Sequence, residues 1–237
     1  DEGGLVAGTN VLAIQGLNTS TGSSDVLFVP EFTGIFQDTN NLVAGFFSDP
    51  TPGEENSIRY DGITGDTSFS VDRGVYDTAF DLAITTSTEG AEIRYTTDGT
   101  PPSETSGLIY SGPISITGTT VVRAIAHKSG FKSTNIDTQS YIFPEDVYGP
   151  QFSDSLTAVP TISLVTQNAS FLNPNAGNDY GEYKSSIEMI FADGTPGFQE
   201  DAGMTNFGGR FTRFDKKSFR LYFRKEYGAG KLKYPIF

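Results

Sequence analysis

Cysteine and tryptophan are both absent from this 237-residue chain, and histidine occurs once. Without cysteine there is no disulfide framework, no thiolate zinc site and no thiol nucleophile. The single histidine, His127, excludes a histidine-rich metal site, and any Ser-His-Asp triad would have to use it. It stands in a strand-like run, 121–128, where a sheet-surface position is the simpler assignment. The lack of tryptophan weakens a glycan-binding groove, which needs exposed aromatic faces. Tyr60, Tyr76 and Tyr110 would have to serve there, and each also suits a core or hairpin position. No run of about 18 apolar residues occurs, so nothing reads as a membrane-spanning helix. No signal peptide is visible, which carries no weight because the start at Asp1 is expected to be internal to a longer protein.

What is plentiful is turn chemistry. The chain holds 27 Gly and 12 Pro among long tracts of Ser, Thr, Asn and Asp, and helix formers are few. Such a composition predicts many short strands joined by turns, so the fold class is mainly β. The formal net charge is −13 and is unevenly placed. Residues 1–66 hold ten acids and one base, residues 67–143 eight and five, and residues 144–237 eleven and ten. Within that last stretch, 206–237 carries nine bases and two acids. The acidic front argues against a nucleic-acid partner, while the tail forms a basic patch that is equally well read as a solvated strand face.

Four regions follow from the pattern. Residues 5–32 read as strands, with Val11, Leu12 and Ile14 in one and Val26, Leu27 and Phe28 in the next. Two strands alone are not stable, so their partners are expected elsewhere. Residues 33–66 read as an acidic Pro/Gly linker. There Asp49-Pro50-Thr51-Pro52-Gly53 favours extended chain, and Asp61-Gly62-Ile63-Thr64-Gly65-Asp66 lacks the alternating oxygen ligands of a calcium loop and reads as a turn. Residues 67–143 are the best-defined domain. Strands are predicted at 68–71, 79–86, 92–96, 114–117, 119–127 and 137–143, separated by Glu89-Gly90, Asp98-Gly99, Pro101-Pro102, Ser111-Gly112-Pro113 and Ser129-Gly130. This spacing predicts an antiparallel sandwich. Alternation puts Phe80, Leu82 and Ile84 on one buried face and sets Ile93 and Tyr95 opposite Arg94. Asp98 is expected to bond its own backbone in a hairpin while Gly99 takes a positive φ. Residues 144–237 hold further strands at 159–165, 185–191 and 218–224. Both chain ends read as cuts through larger units, so the sequence is expected to be a segment of a longer protein.

Three stretches carry family resemblances. Leu5-x-x-Gly8-Thr9-Asn10-Val11-Leu12-Ala13-Ile14-Gln15, followed by Ser23-Ser24-Asp25-Val26-Leu27, is similar to the closing strands of a galactose-binding-like jelly roll over 1–32. The run from Ala91 to Pro102, with Tyr110-Ser111-Gly112-Pro113-Ile114 and Val122-Arg123-Ala124-Ile125-Ala126, closely resembles the fibronectin-III-like module at the C-terminus of chitobiases and hexosaminidases. In that family the module is a spacer or accessory unit. Val159-Pro160-x-Ile162-Ser163-Leu164-Val165, Asp193-Gly194-Thr195-Pro196-Gly197-Phe198-Gln199, Gly208-Gly209-Arg210 before Lys216-Lys217-Ser218-Phe219-Arg220-Leu221, and Lys231-Leu232-Lys233-Tyr234-Pro235-Ile236-Phe237 resemble the N-terminal part of the CotH family of atypical kinases.

By that last resemblance, Lys216 or Lys217 would contact ATP phosphates with help from Arg210 and Arg213, and magnesium would be required. Family members more often show Ile-x-Gly-Gly followed by small residues, where this chain has Asn206-Phe207-Gly208-Gly209-Arg210-Phe211. No metal-binding or base carboxylates of that family follow within the sequence. A solvent-facing lysine pair guarding a sheet edge explains Lys216 and Lys217 equally.

No catalytic set is assigned. The expected role is structural or adhesive: a segment of a modular, extracellular surface protein. The parent is alternatively a secreted Ser/Thr kinase, or a carbohydrate-binding module. Expected partners are other domains of the same chain, neighbouring subunits or surface glycans.

Overall fold

The computed structural model describes residues 45–47, 59–149, 157–168, 181–207 and 218–235. Among these the chain is mainly β, with one helix of five residues. The first strands are β1 Phe46–Phe47, β2 Arg59–Tyr60, β3 Gly62–Ile63, β4 Thr67–Phe69, β5 Gly74–Val75, β6 Phe80–Leu82, β7 Ile84–Thr86, β8 Glu92–Thr96 and β9 Leu108–Ile109. There follow β10 Ile114–Ile116, β11 Thr120–His127, β12 Phe131–Lys132, β13 Asp137–Ile142, helix α1 Pro144–Tyr148, β14 Thr161–Thr166, β15 Tyr183–Ile190, β16 Phe198–Phe207 and β17 Ser218–Tyr222.

The described residues fall into two compact units. The smaller comprises 45–47, 59–63 and 129–132. In it β1 pairs antiparallel with β2, and β3 runs parallel to β12. Asp61 donates its N–H to the Gly130 carbonyl at 2.7 Å, so the Asp-Gly stretch expected to be a turn is pinned by backbone.

The larger unit holds a β-sandwich. One layer is a five-stranded sheet of order β5-β13-β11-β8-β9. The facing layer consists of the antiparallel pairs β4–β7 and β6–β10. Between them lie Leu82, Ile84, Ile93, Ile116, Val122, Ala124, Ala126 and Tyr141, all buried. The predicted strand over 79–86 is interrupted at Ala83. There Ser70 accepts the Ala83 N–H on its hydroxyl at 2.8 Å and donates its own N–H to the Ala83 carbonyl at 2.9 Å. The segment therefore leaves β10 and joins β4, while Phe80, Leu82 and Ile84 keep to the core side as the alternation requires.

A fourth strand pattern completes the unit: β14, β15, β16 and β17 form an antiparallel meander. Strand β16, ten residues long, is absent from the sequence reading. Its Gln199-Glu200-Asp201-Ala202-Gly203 stretch has neither apolar alternation nor β-branched residues, yet the two flanking strands capture its backbone. Between β13 and β14, Pro144 opens α1 at its first position, and the Asp146 carboxylate accepts the Thr119 N–H at 2.7 Å.

Candidate functional site

Strand β13 is buried on both faces. Alternation sends Tyr141 into the sandwich core and turns Thr138, Ser140 and Ile142 to the opposite side. That opposite side meets the meander. Ile142 packs with Ile190 of β15 and Val75 of β5, and this small apolar cluster is flanked by polar side chains.

At the centre of the junction is Glu188 of β15, whose side chain is fully buried. One carboxylate oxygen accepts the backbone N–H of Ser140 at 3.1 Å, and the other accepts the Ser140 hydroxyl. The Ser140 hydroxyl also lies 2.7 Å from that of Ser163, which stands opposite Glu188 in the β14–β15 register. Arg73 Nη1 comes within 3.3 Å of the carboxylate, in charge contact but out of line for a hydrogen bond. The Arg73 backbone is fixed in turn, because its N–H is donated to the side chain of Gln139 at 2.7 Å. Two sheets thus contribute to one buried polar cluster, with Arg73 supplying the countercharge.

A second cation lies on the same face. Arg123 of β11, directly across from Thr138, is 4 % exposed and donates to the Gly99 carbonyl at 3.2 Å. Burial pushes its guanidinium below the ordinary arginine value, and the charges of Asp201 and Glu188 pull it back up. Asp201 of β16 pairs with Lys184 at 3.0 Å. Burial likewise raises the Glu188 carboxyl above its ordinary value, while the Ser140 hydrogen bonds and Arg73 act the other way. Beside this cluster lies a cavity of about 180 Å³, with Ser140, Ser163, Thr119 and Val147 in its wall.

The chemistry of this arrangement is that of a clamp. Ser140 is buried, its hydroxyl is divided between Glu188 and Ser163, and no imidazole stands next to it. His127, the one histidine, sits elsewhere in strand β11, half-buried, with Nε2 3.1 Å from Glu92 Oε1. Among the described residues no group of three or more His, Asp or Glu converges in a way that could hold a metal ion. Nor is any helix of the described residues long and apolar enough to cross a membrane.

The residues singled out from sequence fare unequally. Arg210, Arg213, Lys216 and Lys217 lie outside the described residues, as do the strands expected over 5–32. Asp98 accepts the Thr100 N–H at 3.0 Å and the Thr100 hydroxyl at 2.5 Å, and Gly99 has φ +80°, so the hairpin role holds. The same Asp-Gly-Thr-Pro word recurs at 193–196, where Asp193 accepts the Thr195 N–H at 2.9 Å and Gly194 has φ +79°. Both aspartates are held below their usual carboxylate range by these hydrogen bonds to threonine. Tyr76 and Tyr110 pack against the core, Tyr76 at 4.7 Å from Phe80 and Tyr110 edge-on to Tyr95 at 6.3 Å, so neither lines a sugar groove. Glu188, Arg73 and Arg123 were not anticipated. Glu188 and Arg123 each stand as a charged residue inside an apolar run, 187–191 and 121–126, the signal that could have found them, and nothing comparable marks Arg73.

Residues 71–138 match the model of the chitobiase/beta-hexosaminidase C-terminal domain. The match spans β5 to the start of β13, which lie in the larger unit apart from β12 of the smaller one. Arg73 and Arg123 fall inside it, whereas Ser140, Ser163 and Glu188 fall beyond it. No curated protein and no solved structure matches the chain.

Proposed function

We propose that this chain is a structural segment of a modular extracellular surface protein, in which the sandwich serves as a spacer fused to the domain that follows it. The observation that carries the reading is the burial of Glu188 between the two sheets, bonded across the junction to Ser140. A flexible string of independent modules would have no buried hydrogen bonds across the joint, whereas a stiff spacer has them, because separating the sheets must then break them. The match to an accessory domain named for sugar-processing enzymes supports a supporting rather than a catalytic role for 71–138. Surface display and adhesion are inferred from the acidic, cysteine-free, Thr/Ser/Gly-rich composition. Protease added to intact cells that produce the parent protein should cut within this segment. Complete protection there, with cutting only after lysis, would overturn the surface reading.

The antiparallel sheet over the stretch that resembles CotH-type kinases favours one further reading, in which the parent molecule transfers phosphate and this segment is its stalk and first sheet. Addition of ATP and magnesium separates the two. The structural reading predicts an unchanged melting midpoint, and a clear upward shift would favour the kinase.

A further inference from the structure

Strand β17 and the residues just after it present two arginines on aromatic rings, and among the described residues only one of them has a carboxylate partner. The Arg224 guanidinium lies 4.4 Å from the Tyr222 ring centre and is tied to Glu182 at 2.9 Å and Glu226 at 3.5 Å. The Arg220 guanidinium lies 4.1 Å over Phe207 and has no carboxylate partner among the described residues. Register explains the platform: Phe207 stands opposite Ser218 and Thr205 opposite Arg220, so the ring and the arginine occupy one face of the β16–β17 ladder. Phe207 remains 49 % exposed, and Arg220 is exposed as well. A stacked guanidinium has already given up much of its side-chain freedom, and its planar fork of N–H donors matches a carboxylate. This surface therefore asks for a ligand that brings both a carboxylate and an apolar group.

The chain itself contains such a ligand. The stretch Phe46-Phe47-Ser48-Asp49-Pro50-Thr51-Pro52-Gly53-Glu54-Glu55 carries three acids and no base, and Phe46 is 47 % exposed. It belongs to a front, 1–66, with ten acids and one base, while 206–237 has nine bases and two acids. We propose that the Arg220–Phe207 surface of one chain docks the acidic 46–55 stretch of a second copy. Because the two surfaces are different patches on the same chain, the contact is head-to-tail rather than a self-complementary one, and each copy in it keeps a patch or a stretch that can engage a further copy. The proposal does not depend on the Glu188 junction, which lies elsewhere on the sheet.

Sedimentation velocity of the 237-residue chain tests it. At about 0.01 M salt the chain should associate increasingly with concentration, and at about 1 M, where charges are screened beyond roughly 3 Å, it should be monomeric. Arg220→Gln, and separately the triple change Asp49→Asn, Glu54→Gln, Glu55→Gln, should each give a monomer at low salt with an unchanged melting midpoint. Mixed in equal amounts, the two variants retain one intact patch and one intact stretch between them, so they should form dimers that grow no further. A wild-type chain that stays monomeric at low salt overturns the proposal. So does a variant that associates like wild type, or a mixture that yields no dimer.

Discussion

Glu188 and Ser140 face each other across two sheets, and one carboxylate takes both the backbone N–H and the hydroxyl of the same serine. The contact joins β15 to β13 over 48 residues of sequence, with Arg73 supplying the countercharge. An isolated buried carboxylate would be expelled or neutralised. This one is retained because each of its oxygens has a donor and a cation lies beside it.

Removal of the carboxylate should therefore cost more than the loss of one hydrogen bond. Glu188→Ala leaves the Ser140 N–H and hydroxyl facing a void and Arg73 without its countercharge. We expect a loss of about 3–5 kcal/mol in denaturant unfolding. Glu188→Gln keeps an acceptor for Ser140 and should lose roughly 1–3 kcal/mol. A Glu188→Gln variant as stable as wild type would show that the charge contact with Arg73 contributes nothing.

The same residue gives the stability a pH dependence whose sign follows from its environment. Burial, the dominant influence, raises the Glu188 carboxyl in the folded chain. The folded state then holds the proton more tightly than the unfolded state. The group's contribution is complete below the ordinary glutamate value and is lost as the pH climbs through the raised folded value. Arg73, Arg123, Asp201 and Tyr141 are the other charged or titratable groups that act on this junction. Asp137 is shifted in the same direction, chiefly by burial. The difference between wild type and Glu188→Gln therefore isolates Glu188: wild type should lose stability over that window more steeply than the variant. Parallel curves would contradict the assignment.

The two Asp-Gly-Thr-Pro turns provide a matched pair. A methyl group at Gly99 would meet Val165 at an ordinary 3.5 Å, and one at Gly194 would meet open space. Any cost of alanine is then that of the left-handed backbone, about 1–2 kcal/mol at each position. Asparagine, which tolerates that conformation, should cost less at both. Thermal unfolding of the four variants checks this, and a Gly99→Ala variant as stable as wild type would refute it.

Tyr141 ties the sandwich core together by its hydroxyl, which donates to the Val71 carbonyl at 2.8 Å, and by its ring, edge-on to Phe80 at 5.3 Å. Tyr141→Phe keeps the ring and strands the carbonyl, for a loss of about 1–3 kcal/mol. Tyr141→Ala removes both and should lose about 3–5 kcal/mol. Burial pushes the Tyr141 phenol well above its ordinary value, so alkaline difference spectra should show it titrating after the exposed tyrosines.

The sandwich was legible because its strands obey local rules. Phe80, Leu82 and Ile84 alternate with polar neighbours, and Asp98-Gly99 and Glu89-Gly90 mark the turns, so period and punctuation agree. The break at Ala83 was not legible, because it depends on Ser70, thirteen residues away, taking both backbone groups of Ala83. The junction was hidden for a different reason. In Ser185-Ser186-Ile187-Glu188 and in Gln139-Ser140, the polar residues read as solvent-facing positions of half-buried strands. Here two such polar faces are turned toward each other, and sequence alternation reports that a face is polar without reporting what covers it. Strand β16 was missed because its pairing is imposed by β15 and β17 against a composition of Gln, Glu, Asp and Gly.

Native-state hydrogen exchange bears most directly on the claim that the sandwich and the meander form one cooperative body held at Glu188. In wild type, the slowest amides of β13 and of β15 should exchange with the same opening free energy and the same denaturant dependence. In Glu188→Ala the β15 amides should open at lower free energy while those of β11 and β8 keep theirs. Wild-type β15 amides that already open independently of β13, or a Glu188→Ala variant in which the two strands stay matched, would contradict it.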